Sequence, residues 1–176
     1  GSWVIPRFVL LDAIIVGERA AKASGAERRR LVRRLRKRLA SAQRWAKPGP
    51  DNFQPIADVV AGELARVRGE LAEATRCYEA ARTRAAESGR SYLEGLACMR
   101  LAALAEQAGW KSVAEGSMRG AHRAFERWGA WAVVEHIEAK TGPLPELTRL
   151  DDTHSSKSHS SSDRSRQSTI HPTSRS

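Results

Sequence analysis

A thiol at Cys77, imidazoles at His122 and His136, and carboxylates at Glu63 and Glu106 are the side chains whose chemistry could serve catalysis or metal binding. A nucleophilic thiol needs a general base beside it and a third group that orients the base. No His with an Asn or Asp accompanies Cys77 in the sequence, so it reads as a small core residue. Zinc sites draw on closely spaced His, Cys and carboxylate ligands. The chain has no HExxH and no CxxC, and His122 and His136 stand 14 residues apart without paired ligands at such spacing. Both histidines read as partly exposed helix positions, His136 with Glu135 and Glu138 near it. Glu63 and Glu106 fall on adjacent predicted hairpins and are expected to face solvent or pair with a surface arginine. The glycines are isolated, and none belongs to GxxxxGK[ST] or GxGxxG, which excludes a P-loop nucleotidase. No cofactor, metal or catalytic constellation is implied, and an enzyme is not expected.

The densest chemistry in the chain is cationic. Between Ala26 and Trp45 stand nine Arg or Lys against the single acid Glu27, a local charge of +8 within a total of +10. Arginines at this density attract polyanions through a field that salt weakens. Arg29, Arg30, Arg33, Arg34 and Lys37 are therefore candidates for binding nucleic acid or an acidic membrane surface. The competing reading is the solvated face of an amphipathic helix. No aromatic residue interleaves with these arginines, which argues against stacking on a single strand. Trp110, Trp128 and Trp131 stand at predicted hairpin turns and read as packing residues with one exposed edge. A ligand cage around them would require an apolar pocket.

The elements that carry these residues are helices. Ala, Leu, Arg and Glu dominate, and no window alternates in the manner of a strand, so the class is all-α. The first helix is expected over Phe8–Ser24 with Phe8, Leu11, Ile15 and Ala20 near one face, and the second from Ala26 with a stripe of Leu31, Leu35, Leu39 and Ala42. Lys47-Pro48-Gly49-Pro50 ends the second, and Asp51 or Asn52 is the expected N-cap of a third that runs to about Arg68. Four more are expected: Leu71–Ser88, Tyr92–Ala108, one ending near Trp128, and Ala130–Ala139.

Gly69 and Gly109 are turns 40 residues apart, each with a small residue seven before it and small or bulky residues five, nine and twelve after it. Gly62, Ala74, Tyr78 and Ala81 surround the first, and Ala102, Ala114, Met118 and Ala121 the second. Such a repeat predicts a tetratricopeptide-like array of stacked antiparallel hairpins, about seven helices over residues 3–147, which binds or transmits rather than catalyses. Contact residues are expected on the inner helices, among them Arg66, Tyr78, Arg82 and Arg100. Residues 148–176 are Ser-rich and read as a disordered tail. Cys77 and Cys98 fit a reducing compartment better than a disulfide framework, no apolar run is long enough to span a bilayer, and a cytoplasmic location is expected.

Several landmarks occur in combination: Trp45 followed by Pro50-x-Asn52-Phe53, Glu63-Leu64-Ala65-Arg66, Tyr78 with Ala81, Glu94-x-Leu96-Ala97, and Trp128-Gly129-Ala130. Over residues 26–147 the sequence resembles the helical region of large hybrid signalling proteins. These join a serine/threonine kinase-like domain, a predicted ATPase module, a GAF domain and a sensor histidine kinase. Phe125 stands where such proteins usually carry Tyr, and Val133 where they carry Lys. The resemblance implies a non-catalytic module of a two-component type protein, lying between the ATPase and GAF domains and docking or coupling its neighbours or a partner protein. The segment from Asp151 to Ser176 lies where their serine-rich linker would.

Overall fold

The computed structural model describes residues 4–142. The chain divides into a unit Gly1–Leu144 and a unit Pro145–Ser176, and the expected tail lies outside the described residues. Among those residues the structure is seven helices: α1 (Val4–Lys22), α2 (Gly25–Ala46), α3 (Pro50–Arg68), α4 (Leu71–Glu87), α5 (Ser91–Gln107), α6 (Lys111–Trp128) and α7 (Trp131–Thr141). The all-α expectation holds.

The turns between the later helices are copies of one another. Gly69, Gly89, Gly109 and Gly129 have φ of 82°, 66°, 76° and 77°, a left-handed conformation that glycine adopts without a Cβ penalty. After each, the next residue's N–H reaches back five residues, as in Glu70 to the Ala65 carbonyl at 3.0 Å and Trp110 to the Ala105 carbonyl at 2.8 Å. That bond pattern satisfies carbonyls the helix end would otherwise leave free. Helices α4 to α7 accordingly begin at 71, 91, 111 and 131, so the 40-residue repeat is two steps of 20.

Helices α1 and α3 pack together and α3 touches α5, while α2, α4 and α6 each pack against the odd-numbered helices on either side of them. This is a helical array in which each hairpin buries the apolar face of the next. α3 has neighbours on all sides (α1, α2, α4 and α5) and is buried almost all round between Ile56 and Val67. Tight approach is set by glycine. A Cβ on Gly62 would lie 2.5 Å from the Tyr78 ring, so α4 can seat that ring on α3 only because no side chain is there. In the next hairpin Phe125 sits on Gly95 in the same way, with ring carbons 2.8 Å from the position of the missing Cβ.

Two local expectations are corrected. α1 buries Val9, Leu10, Ala13, Val16 and Ala20, and leaves Phe8, Leu11 and Ile15 exposed. Residues 8–16 are apolar nearly all round, so their spacing fits more than one face and packing on α2 and α3 selects the other one. The N-cap of α3 is Gly49, with Pro50 in the first turn and no side-chain cap bond from Asp51 or Asn52. Proline needs no N–H partner at that position, so the helix starts two residues earlier than an Asp51 cap would set it. Trp45 and Phe53, with ring centroids 6.4 Å apart, close the α2–α3 turn.

Candidate functional site

A buried ionic cluster lies where α1, α3, α4 and α5 meet. Glu63 of α3 is fully buried, and Arg66, one helical turn on, has a side chain only 2% exposed. Glu63 accepts from Arg66 at 2.9 Å, from Arg100 Nε at 2.5 Å and from the Tyr78 hydroxyl at 2.8 Å. Glu18 of α1 accepts from Arg100 at 2.6 Å and from Arg66 at 3.2 Å. The cluster holds two carboxylates and two guanidiniums and is formally neutral, the condition under which charges persist in a core. Gly17 makes room for it, because a Cβ there would stand 2.2 Å from a Glu63 carboxylate oxygen.

The titration of Tyr78, Arg100 and Glu18 reflects this setting. Burial, then the Glu63 charge, pushes the Tyr78 hydroxyl far above the usual tyrosine range. Burial works against the charge of Arg100, but Glu63 and Glu18 outweigh it and hold the guanidinium protonated beyond its ordinary range. Burial pushes Glu18 up, yet its hydrogen bond and attraction to Arg100, with Arg66 and Lys22, leave its carboxyl below the ordinary value. The expected pairing of Glu63 with arginine holds, but its expected surface setting is overturned: α3 is enclosed by four helices, so the acid is buried with its partners. Glu106 is exposed at the far end of α5 and does not approach it.

Of the four residues expected to contact a partner, Arg66, Tyr78 and Arg100 meet in this cluster. Arg66 and Tyr78 are buried and present no surface to a partner. Arg82 stands apart, exposed and paired with Glu79 at 2.7 Å.

The cluster positions a second feature. α1 and α5 make no backbone contact, and side chains alone join them. Arg100–Glu18 forms one clip, and the Arg7 guanidinium 4.8 Å over the Tyr92 ring forms the other. Between α1 and α5 opens a cavity of about 680 Å³. α7 packs on α6, its Val134 and Ile137 share an apolar cluster with Cys98 of α5, and it forms the far side of the cavity. Leu10 and Leu11 of α1, Leu96 and Met99 of α5, and Phe125 and Trp128 of α6 line it, with Val133 and His136 of α7 opposite. Its polar side chains include Arg7, Tyr92 and His136, and among the described residues no carboxylate lines it. Beside it the exposed apolar residues of α1 continue the surface: Phe8 and Ile15 are each 60% exposed. This is the apolar pocket that a ligand role for the tryptophans would require, and Trp128 is part of it while Trp131 stands exposed nearby in sequence.

The basic helix is divided between structure and solvent. Arg34 and Arg38 both hold Asp12 of α1, and Arg28 donates to the Val67 carbonyl at the end of α3. Arg34 is thus committed to the fold, whereas Arg29, Arg30, Arg33 and Lys37 are exposed. Arg36 joins Arg29 and Arg33 around a separate cavity between α2 and the end of α3.

The remaining candidates are occupied by packing or by surface pairs. His122 Nε2 lies 2.7 Å from Glu138, joining α6 to α7. Cys77 and Cys98 are buried free thiols. Burial, followed by the charge of Glu73, pushes Cys77 up to about 11, and burial does the same for Cys98. Relative to an ordinary thiol at 9.0, such a shift lowers the thiolate fraction on the order of a hundredfold. Iodoacetamide at pH 7.5, followed by mass spectrometry, is expected to label both thiols of the folded chain about a hundredfold more slowly than free cysteine. Labelling of Cys77 at the free rate would show an activated thiol. No protein-family model matches this chain, and no match is found among the curated proteins or the solved structures compared with it.

Proposed function

We propose that the chain is a non-catalytic helical-repeat module that binds an amphipathic helix, from a partner protein or a neighbouring domain of a signalling protein, in the groove between α1, α5 and α7. The observation that carries this reading is the apolar cavity of about 680 Å³, open beside an exposed apolar α1. Grooves of this kind take helices through anchors at i, i+3, i+4 and i+7. Arg7 and His136 at the groove, without a lining carboxylate, favour a helix flanked by Asp or Glu.

A relay role follows from how the groove is built. Its α1 wall is tied to the α5 floor by an ion pair and a cation–π contact rather than by backbone packing, so occupancy can alter the α1–α5 spacing and the ends of the array. The resemblance to hybrid kinase proteins supports the same role and names neighbouring domains as the first partners to test. Among the described residues no helix is long and apolar enough to cross a membrane.

Selection of a displayed helical-peptide library on the folded chain tests the groove. Apolar helices with acidic flanks are expected to be enriched, and Leu11→Glu to weaken them about tenfold or more by placing a charge at an apolar contact. Leu11 is half exposed, so the variant should fold normally. Enriched peptides indifferent to Leu11→Glu and to Met99→Glu would refute the groove as the binding face.

A further inference from the structure

The second cavity, about 540 Å³ between α2 and the end of α3, is built unlike the first. Its floor is Val32 and Val67, and its walls are Arg28, Arg29, Arg33, Arg36 and Arg68. Among the described residues no carboxylate lines it. Arg28 is held in place by the Val67 carbonyl, and Arg68 has only a 3.9 Å contact with the exposed Glu70. Among the described residues Arg29, Arg33 and Arg36 form no ion pair, although acids elsewhere on the surface pair readily with arginine at 2.6–2.7 Å, as in Arg76–Glu73 and Arg82–Glu79.

Five guanidiniums around one concavity repel one another, and an anion that enters relieves this. The planar fork of each guanidinium matches the oxygens of a phosphate better than it matches a single point charge. We propose that this cavity binds a compact, multiply phosphorylated anion. The arginines converge from two helices onto one concave site, and of the α2 cations without an ion pair among the described residues Arg30, Lys37 and Arg44 lie outside it. That arrangement fits a compact anion better than an extended duplex, whose phosphates would call for a stripe along the helix. Among the described residues no aromatic side chain lines the cavity to give a base a stacking platform.

Titration calorimetry with inorganic tripolyphosphate tests the site. Saturable one-site binding is expected, weakening as KCl rises. It should fall about tenfold or more in Arg29→Gln/Arg33→Gln/Arg36→Gln, which removes charge-assisted hydrogen bonds from exposed residues that hold no part of the fold. The exposed Lys111→Gln variant, remote on α6, should bind as the parent does, and circular dichroism of each variant establishes that it is folded. Vesicles bearing phosphoinositides separate the two sources of this chemistry: competition with tripolyphosphate assigns a lipid headgroup, and its absence a free anion. Tripolyphosphate binding unchanged in the triple variant, or tight binding of duplex DNA with none of tripolyphosphate, would overturn the proposal.

Discussion

Glu63→Ala is expected to destabilise the chain by about 3–5 kcal/mol, because removing one partner of a buried ionic cluster leaves the others charged and unpaired. Arg66 and Arg100 would then share the half-exposed Glu18 as their only carboxylate, and Arg66 is almost wholly out of water. Glu63→Gln keeps the volume but not the charge and should fall in the same range. Urea unfolding followed by circular dichroism reads the loss as a lower midpoint. The pairing is testable separately: Glu63→Leu combined with Arg66→Met and Arg100→Met removes the cluster's buried charges together, and such apolar replacements are often neutral or better. That triple variant should recover much of what Glu63→Ala loses. A Glu63→Ala protein as stable as the parent would mean that the cluster is not closed in solution.

Loss of α1–α5 clipping has a functional consequence as well. Glu18 and Arg100 join two helices whose backbones do not touch, so a chain without Glu63 should also hold groove ligands less tightly. The carboxyl of Glu18 lies below its ordinary 4.5 in the folded chain. A depressed carboxylate stabilises the fold above its unfolded value, and that contribution disappears as pH falls through the folded one. Acid below about pH 4.5 is therefore expected to loosen the α1–α5 clip first.

Tyr78→Ala should cost about 3–5 kcal/mol, the range for truncating a large buried aromatic side chain. The ring is fully buried against Gly62, and its hydroxyl donates to Glu63 at 2.8 Å. Tyr78→Phe keeps the ring and removes one of several donors to Glu63, so its cost should be nearer 1 kcal/mol. Gly62→Ala tests the same contact from α3, since a Cβ 2.5 Å from ring carbons cannot be accommodated without moving α4. The folded Tyr78 titrates well above its ordinary 10.0. A raised value means that stability is fully present below pH 10 and is lost as pH rises beyond it. In Tyr78→Phe this alkaline loss should be absent, which separates the hydroxyl from the ring.

Much of the array is legible in the residues themselves. Gly69 and Gly109 mark the turns, and Gly62 with Tyr78 marks the close α3–α4 contact, because only glycine permits a left-handed turn or a ring against the backbone. The finer step of 20 is carried by Gly89 and Gly129, which fall midway and one step beyond. The buried cluster was legible in principle. Between Ile56 and Val67 the ionisable residues are Asp58, Glu63 and Arg66, and a helix apolar all round is a buried helix whose charges must be paired. What α1 buries could not be read from Phe8–Val16, because a run with nearly all faces apolar leaves the choice to its neighbours. The groove is still further from the sequence, since it exists because α1, α5, α6 and α7 meet around one cavity, a matter of packing between elements.

Hydrogen–deuterium exchange of the folded chain, with and without a selected acidic-flanked helix, reads the partner surface directly. Added protection is expected on α1 around Leu10 and Leu11, on α5 around Leu96 and Met99, and on α7 around Val133, with α2 unchanged. Protection confined to α2 and the end of α3, or none on α1 and α5 at saturating peptide, would contradict a partner groove between α1, α5 and α7.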